Sequence, residues 1–236
     1  MQEFKESFDT LLGVKLETND HEKGLFKRAE KYIKKLAKIP GIEMIAIVNS
    51  LSMYATHKDS DIDLFIVTKP NMIWFVRFFS TLILWRHGVW RKNEDIAGNF
   101  CLSFFITTES MDFREIAIQD DIYLYYWTYY MKPIISNNDT YEEFLKKNTW
   151  VQIDETQKSE NIKYMIQKGE NHYIMPGLYR RMNRFFKHFL HMKSMQTYLS
   201  IGSPKGVIIS DTMLKFHNKD KREVIRDNIL KKNFDK

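Results

Sequence analysis

Apolar residues recur along the first half of the chain in two kinds of pattern, which predict helices and strands. Between His21 and Lys38 they lie three or four positions apart, with Lys and Glu between them, which indicates an amphipathic helix. The segments Ile42 to Val48 and Ile62 to Val67 are short, β-branched and almost wholly apolar, which is typical of strands covered on both faces. The longer apolar run from Met72 to His87 predicts a buried helix.

A third strand is predicted at Phe100 to Thr107, and beyond residue 118 the pattern becomes helical. The segments Asp121 to Met131, Tyr141 to Asn148 and Gly177 to Tyr198 predict helices, which turn residues and polar stretches separate. The sequence therefore predicts an α/β (α+β) protein in two parts. Residues 1–118 hold the strands, and residues 119–236 form a mainly helical C-terminal region.

The composition indicates a folded protein of a reducing compartment. Of the 236 residues 44% are apolar, and 17 Phe, 12 Tyr and 5 Trp are far more apolar mass than a disordered chain carries. The single cysteine, Cys101, cannot form an internal disulfide. Met1 to Glu17 lacks the pattern of a signal peptide. The most apolar run, Met72 to Trp85, is interrupted by Arg77 and is shorter than the ~20 residues that span a bilayer. We therefore expect a cytoplasmic protein without a membrane span.

The residues that suggest chemistry lie between the first two strands. The first strand ends at Asn49-Ser50, and Asp61-Ile62-Asp63 opens the second strand after ten intervening residues. Because side chains alternate along a strand, Asp61 and Asp63 are expected to point the same way, as a carboxylate pair that suits Mg²⁺ and a triphosphate. The turn at Asn49 and Ser50 is expected to offer backbone N–H groups and a hydroxyl to phosphate oxygens.

This arrangement resembles the signature of the DNA polymerase β-type nucleotidyltransferase superfamily, a Gly-Ser turn followed about ten residues later by Asp-x-Asp between apolar residues. The resemblance covers roughly the first half of the chain, and this half is similar to small bacterial nucleotidyltransferase domains. It implies a polymerase β-like domain with a short mixed sheet. It also implies transfer of a nucleoside monophosphate from an NTP, ATP being the first choice, to a hydroxyl of a small molecule or a protein. In that family role Asp61 and Asp63 are catalytic and hold Mg²⁺, and Asn49 and Ser50 bind the nucleotide.

Two positions depart from this signature. Asn49 stands where the family has Gly, and Asn is one of the few residues that accept the left-handed conformation of a tight turn. Family members often carry a third carboxylate on a later strand, but the predicted strand at Phe100 to Ile106 has none, and only Asp95 and Glu109 flank it. This leaves open a catalytically inactive nucleotidyltransferase fold that binds nucleotide or a protein partner.

A basic stretch in the second half suggests a different class of function. Asn171 to Met195 contains Arg180, Arg181 and Arg184 among aromatic residues and has no acidic residue, a composition compatible with nucleic-acid binding. Its apolar residues recur at helical spacing, so a packed helix with a solvated basic face is the favoured interpretation. The net charge of +6 adds only modest support. The polar cluster from Lys215 to Arg222 precedes a predicted final helix and has no assigned role.

Overall fold

The computed structural model describes residues 1–91, 96–166 and 175–234. Within these residues lie six strands, nine α-helices and two short 3-10 helices. The strands are β1 (Ile42–Val48), β2 (Ile62–Thr68), β3 (Phe100–Thr107), β4 (Lys132–Ser136), β5 (Val207–Ile209) and β6 (Met213–Phe216). The α-helices are α1 (Lys5–Leu12), α2 (Asp20–Leu36), α3 (Asn49–Ser52), α4 (Ile73–Arg86), α5 (Ile122–Tyr129), α6 (Thr140–Lys147), α7 (Glu155–Ile162), α8 (Pro176–Ser200) and α9 (Arg222–Phe234).

All six strands belong to one mixed sheet in the order β4-β1-β2-β3-β6-β5. β2 and β3 run parallel, and each other neighbouring pair is antiparallel. The predicted strands β1, β2 and β3 are confirmed, and so is the mixed α/β class. The sheet is wider than predicted, because β4, β5 and β6 come from the second half of the chain. Strands from both sides of residue 118 are therefore hydrogen-bonded into the same sheet.

The predicted helices are found close to their expected bounds, as α2, α4, α5, α6 and α8. The polar stretch around Asp154 differs from the prediction, since it begins a further helix, α7, whose first turn Asp154 caps. The helix α4 is fully buried only over its first turn, and Leu82 and Trp85 near its end are 39% and 58% exposed. None of the helices in the described part of the chain has both the length and the hydropathy that crossing a bilayer requires.

Helices cover the two faces of the sheet. On one face α2, α4 and α8 pack over the apolar side chains of β1, β2 and β3. On the other face α5 and α6 enclose a cluster of five aromatic rings, namely Phe65, Phe104, Phe113, Trp127 and Phe144. Covering both faces is what the uninterrupted apolar strands require, because neither set of alternate side chains can then face water. Polar groups are left for the ends of the strands.

Polar side chains anchor the helix starts that lie around this core. Asn19 and Glu22 form a capping box at α2, with both hydrogen bonds 2.9 Å long. The buried Asn183 of α8 accepts hydrogen bonds from the backbone N–H groups of Trp74 and Phe75, at 2.9 and 3.0 Å. These two donors lie in the first turn of α4 and have no partner within that helix. One side chain thus caps α4 and ties it to α8.

Candidate functional site

The start of β2 is the point where the predicted site residues come together. Asp63 pairs with Val48, the last residue of β1, so the Asn49 turn begins directly beside it. On its other side Asp63 is level with Cys101 of the parallel strand β3. Ligand atoms of Asp61, Asp63 and Cys101 all lie within 4.8 Å of one another. The side-by-side placement expected for the two carboxylates is therefore observed, and a thiol completes a group of three.

The turn after β1 contributes the side chain of Asn49 to the site, in addition to its backbone. Asn49 has a φ of +58°, the left-handed conformation predicted for this position, and it starts the short helix α3 with Ser50 in its first turn. Its amide Oδ1 accepts a hydrogen bond of 3.1 Å from the Tyr123 hydroxyl. The same amide donates to the Asp63 carboxyl and lowers its pKa. A glycine here would leave this space open, whereas Asn49 joins α5 to the start of β2.

The two carboxylates differ in their electrostatic surroundings. Burial and the neighbouring charge of Asp61 raise the pKa of Asp63 to about 6, although hydrogen bonds from Asn49 and Cys101 oppose this shift. Asp61 forms an ion pair with Arg91, whose Nη1 lies 2.7 Å from Oδ2. The same nitrogen lies 3.6 Å from the Cys101 sulfur. Arg91 therefore supplies a positive charge that offsets the charge of Asp61 and leaves that of Asp63 largely uncompensated.

The donor set fits a hard divalent cation through its two carboxylates. Mg²⁺ commonly takes one or two protein carboxylates, with water and phosphate oxygens filling its other positions. The third member, Cys101, does not add to such a site, because a sulfur is a soft ligand. Burial and the charge of Asp63 also raise the pKa of its thiol, which stays protonated. Asp61 and Asp63 would therefore hold the ion, with Arg91 displaced from Asp61.

The position next to Asp63 on β3 is where a third carboxylate would complete the site, and Cys101 occupies it. Glu109 follows the far end of β3, where Thr108 bonds to Thr68 at the end of β2, so it lies at the opposite end of these strands from Asp63. Asp95 lies outside the described residues. The structure thus brings no third carboxylate to Asp61 and Asp63 from the parts of the chain that it describes.

A cavity of about 160 Å³ adjoins Asn49 and Tyr123. Its cationic lining comes from the C-terminal cluster that sequence patterns left without a role: Lys215, Lys219, Lys221 and Arg222. Among the described residues that line this cavity Asp220 is the one acidic residue, and it pairs with Arg222 and Lys215 at 2.8 and 3.7 Å.

The imidazole of His217 lines the same cavity. Burial lowers its pKa to about 4, so the ring is neutral at physiological pH. Its buried Nδ1 has no hydrogen-bond partner among the described residues. Strand β6 and the segment that follows it therefore add a cationic cavity, with an unpaired ring nitrogen, to the site. Sequence patterns missed it because about 170 residues of chain, roughly the length of a domain, separate these residues from Asn49.

The basic helix α8 lies apart from this site. Arg180, Arg181 and Arg184 are exposed, as predicted for a solvated face. The expectation that its apolar residues are packed holds for Phe186, which stacks on Phe78 of α4, but Phe185 and Phe189 are 60% and 55% exposed. The helix is long enough to have apolar residues on two faces, and only one of them meets α4.

Comparisons with known proteins give no relative for this chain: no family model, no curated protein and no solved structure matches it. The geometry described above is therefore what any functional interpretation rests on.

Arg91 tests the metal interpretation of this group. Arg91→Met is expected to raise the affinity for Mn²⁺ about two- to fivefold, because a partly exposed ion pair is worth up to about 1 kcal/mol and no longer competes for Asp61. Mn²⁺ binding is measured by electron paramagnetic resonance. Arg114→Met, which removes an exposed arginine paired with Asp112, is the matched control and should change nothing. Unchanged or weaker Mn²⁺ binding by Arg91→Met would contradict the competition between guanidinium and metal.

Proposed function

We propose that this protein binds a Mg²⁺–NTP complex at the start of β2 and transfers the nucleoside monophosphate to a hydroxyl acceptor. The observation that carries this proposal is the meeting of three elements at one end of the sheet. They are the Asp61–Asp63 carboxylate pair, the Asn49–Ser50 turn and the cationic cavity beside Asn49. Carboxylates that hold a metal and donors that hold phosphates are the parts that phosphoryl-group chemistry needs.

Each part has a separate task in this proposal. Asp61 and Asp63 hold the metal, which when bound neutralises charge on the reacting phosphate. Backbone N–H groups and the hydroxyl at Asn49-Ser50 bind phosphate oxygens. The lysines of the cavity, Lys215, Lys219 and Lys221, attract the negative charge of the same triphosphate. The acceptor hydroxyl belongs to a small molecule or a protein, and ATP is the first nucleotide to test.

A nucleotide-binding module without catalysis is the second candidate, and the position of Cys101 favours it. A carboxylate at that position would accept the proton of an attacking hydroxyl, but a protonated thiol does not. The ion pair between Arg91 and Asp61 also neutralises one of the two carboxylates without any metal. Both candidates require nucleotide binding, and they differ only in turnover.

Isothermal titration of each NTP, with and without Mg²⁺, tests the proposal. We expect one NTP to bind in a Mg²⁺-dependent manner and the Asp61→Ala/Asp63→Ala variant to lose this binding. Asp59→Ala is the matched control, because Asp59 is exposed and lies only two residues away. Failure of every NTP to bind to the wild-type protein would overturn both candidates.

Turnover separates the enzyme from the module. Transfer of a nucleoside monophosphate releases pyrophosphate, so pyrophosphate is measured with the NTP that binds and with pools of hydroxyl acceptors. An enzyme should release pyrophosphate, and Asp61→Ala should reduce the rate by about a hundred- to a thousandfold, as expected for loss of a group that stabilises the transition state. Tight NTP binding with no pyrophosphate from any pool would favour the module.

A further inference from the structure

A larger cavity lies between α4, α8 and the edge of the sheet at β5 and β6. Its volume is about 510 Å³, within the range of small-molecule pockets. Most of its lining is apolar, and five aromatic side chains contribute to it: Phe78, Trp85, Trp90, Tyr198 and Phe216. The indole of Trp85 is 58% exposed at this site, which is unusual for a residue of its size. The cavity therefore offers an apolar surface to a ligand.

The charged groups of this cavity are of one sign. Arg77 and Lys193 line it, and none of the described residues that line it is acidic. In the part of the chain that the structure describes, no carboxylate lies within ion-pair distance of either. Nη1 of Arg77 donates to the carbonyl of Leu102 at 3.2 Å, and the guanidinium lies 4.1 Å from the centre of the Phe216 ring.

The electrostatic surroundings of Arg77 favour an anionic ligand in this cavity. Burial lowers the pKa of its guanidinium to about 10, which shows that the charge has lost hydration. A charge taken out of water is unfavourable unless an opposite charge is placed beside it. A carbonyl and an aromatic face offset only part of that cost. An anion bound in the cavity would complete the compensation.

We propose that the cavity between α4 and α8 binds a small amphipathic organic anion, with an apolar body among the aromatic side chains and a carboxylate or phosphate head at Arg77 and Lys193. This site is separate from the nucleotide site. Phe216 lines the larger cavity, whereas Lys215 before it on β6 and His217 directly after the strand line the cavity beside Asn49. Successive residues of a strand face opposite sides of a sheet, so the two cavities lie on opposite faces.

Decanoate and decyl phosphate are the probes for this site, with decan-1-ol as the uncharged chain and inorganic phosphate as the charge without a chain. Binding to the full chain is followed by titration calorimetry and by the fluorescence of Trp85 and Trp90. We expect at least one of the two anions to bind with a Kd of roughly 10–100 µM, as about half a kcal/mol per heavy atom would give. Decan-1-ol should bind at least tenfold more weakly, and inorganic phosphate should not bind. A preference between the two anions identifies the head group.

Two variants separate the head contact from the body contact. Arg77→Met keeps the apolar stem of the side chain but removes the guanidinium, and it should weaken anion binding by about tenfold or more, as loss of a charged hydrogen bond predicts. Thr197→Trp adds a bulky ring at an exposed lining position and should abolish binding without disturbing the core. Arg114→Met is the control, because this exposed arginine lies outside the cavity.

Three results would overturn the proposal. They are the absence of binding by both anions, equal affinity for decanoate and decan-1-ol, and undiminished binding by Thr197→Trp. A further experiment measures binding of the protein to phosphatidylglycerol vesicles by sedimentation. Vesicle binding by a protein that binds neither free anion would mean that the exposed aromatic residues meet a lipid surface and that the cavity is not a ligand site.

Discussion

Asp63→Asn is expected to stabilise the folded protein by about 2 kcal/mol at pH 7.5 while it abolishes Mg²⁺-dependent nucleotide binding. The pKa of Asp63 is about 6 in the folded protein against an ordinary 3.8. That difference corresponds to about 3 kcal/mol of unfavourable ionisation, and partial exposure of the side chain reduces the expected value. The amide of the Asp63→Asn variant has the same shape but no charge, so this cost of ionisation in the folded protein is removed. It also lacks the anionic oxygen that a divalent cation requires.

The pH dependence follows from the sign of the pKa shift. Because the pKa of Asp63 is raised on folding, the folded state binds more protons than the unfolded chain between pH 3.8 and about pH 6. The free energy of unfolding therefore falls as the pH rises through this window, because Asp63 ionises less readily in the folded protein. The full cost of this ionisation is present above about pH 6. The advantage of Asp63→Asn over the wild-type protein should be largest at pH 7.5 and should vanish near pH 3.5.

Chemical unfolding of the two proteins at several pH values measures this difference. Asp59→Asn removes an exposed carboxylate two residues from Asp61 and is the matched control, with an expected change of less than about 0.5 kcal/mol at every pH. A destabilised Asp63→Asn protein at pH 7.5 would mean that the Asp63 carboxylate is held mainly by its hydrogen bonds from Asn49 and Cys101. A stabilised variant that loses nucleotide binding would show that this part of the sheet is kept charged for function.

The central strands could be predicted from sequence because local pattern determines them. The three segments that became β1, β2 and β3 are apolar at nearly every position, and no exposed element can have that composition. The strands of the second half lack this signal. β4 begins with Lys132-Pro133, residues typical of a loop, yet Lys132 is only 1% exposed. Its ammonium lies 3.6 Å from Glu160 and 4.5 Å from the centre of the Tyr54 ring. These long-range contacts make a buried lysine acceptable, and no local pattern contains them.

The same distinction applies to the candidate site. The Asp61–Asp63 pair and the turn at Asn49 follow from spacing along neighbouring strands, and the sequence predicts them. Cys101 and Arg91 enter the site only through the pairing of β3 beside β2, which sequence spacing does not specify. A signal for Cys101 did exist. It is the second residue of a predicted strand, so parallel pairing of the strand starts would have placed it beside Asp63.

Phe65→Ala is expected to cost about 3–5 kcal/mol of folding free energy, a large part of the 5–15 kcal/mol that typical domains have. Phe65 is fully buried at the centre of the aromatic cluster between the sheet, α5 and α6. Its ring centre lies 5.0 to 5.8 Å from those of four neighbours: Phe104, Phe113, Trp127 and Phe144. Rigid rings of this size cannot close the cavity that the substitution leaves. Urea unfolding should show a midpoint lower by about 1–2 M.

Phe185→Ala is the matched control, because it removes the same side chain from a 60% exposed position on α8 and should change stability by less than about 0.5 kcal/mol. Similar effects of the two substitutions would mean that the aromatic cluster can repack. Phe65 also lies two residues from Asp63 on β2, so its packing fixes the strand that carries the carboxylate. Phe65→Leu should keep the fold, at a cost of about 1–2 kcal/mol. If this variant binds Mg²⁺–NTP more weakly than the wild-type protein while remaining folded, the aromatic core positions the site as well as stabilising the sheet.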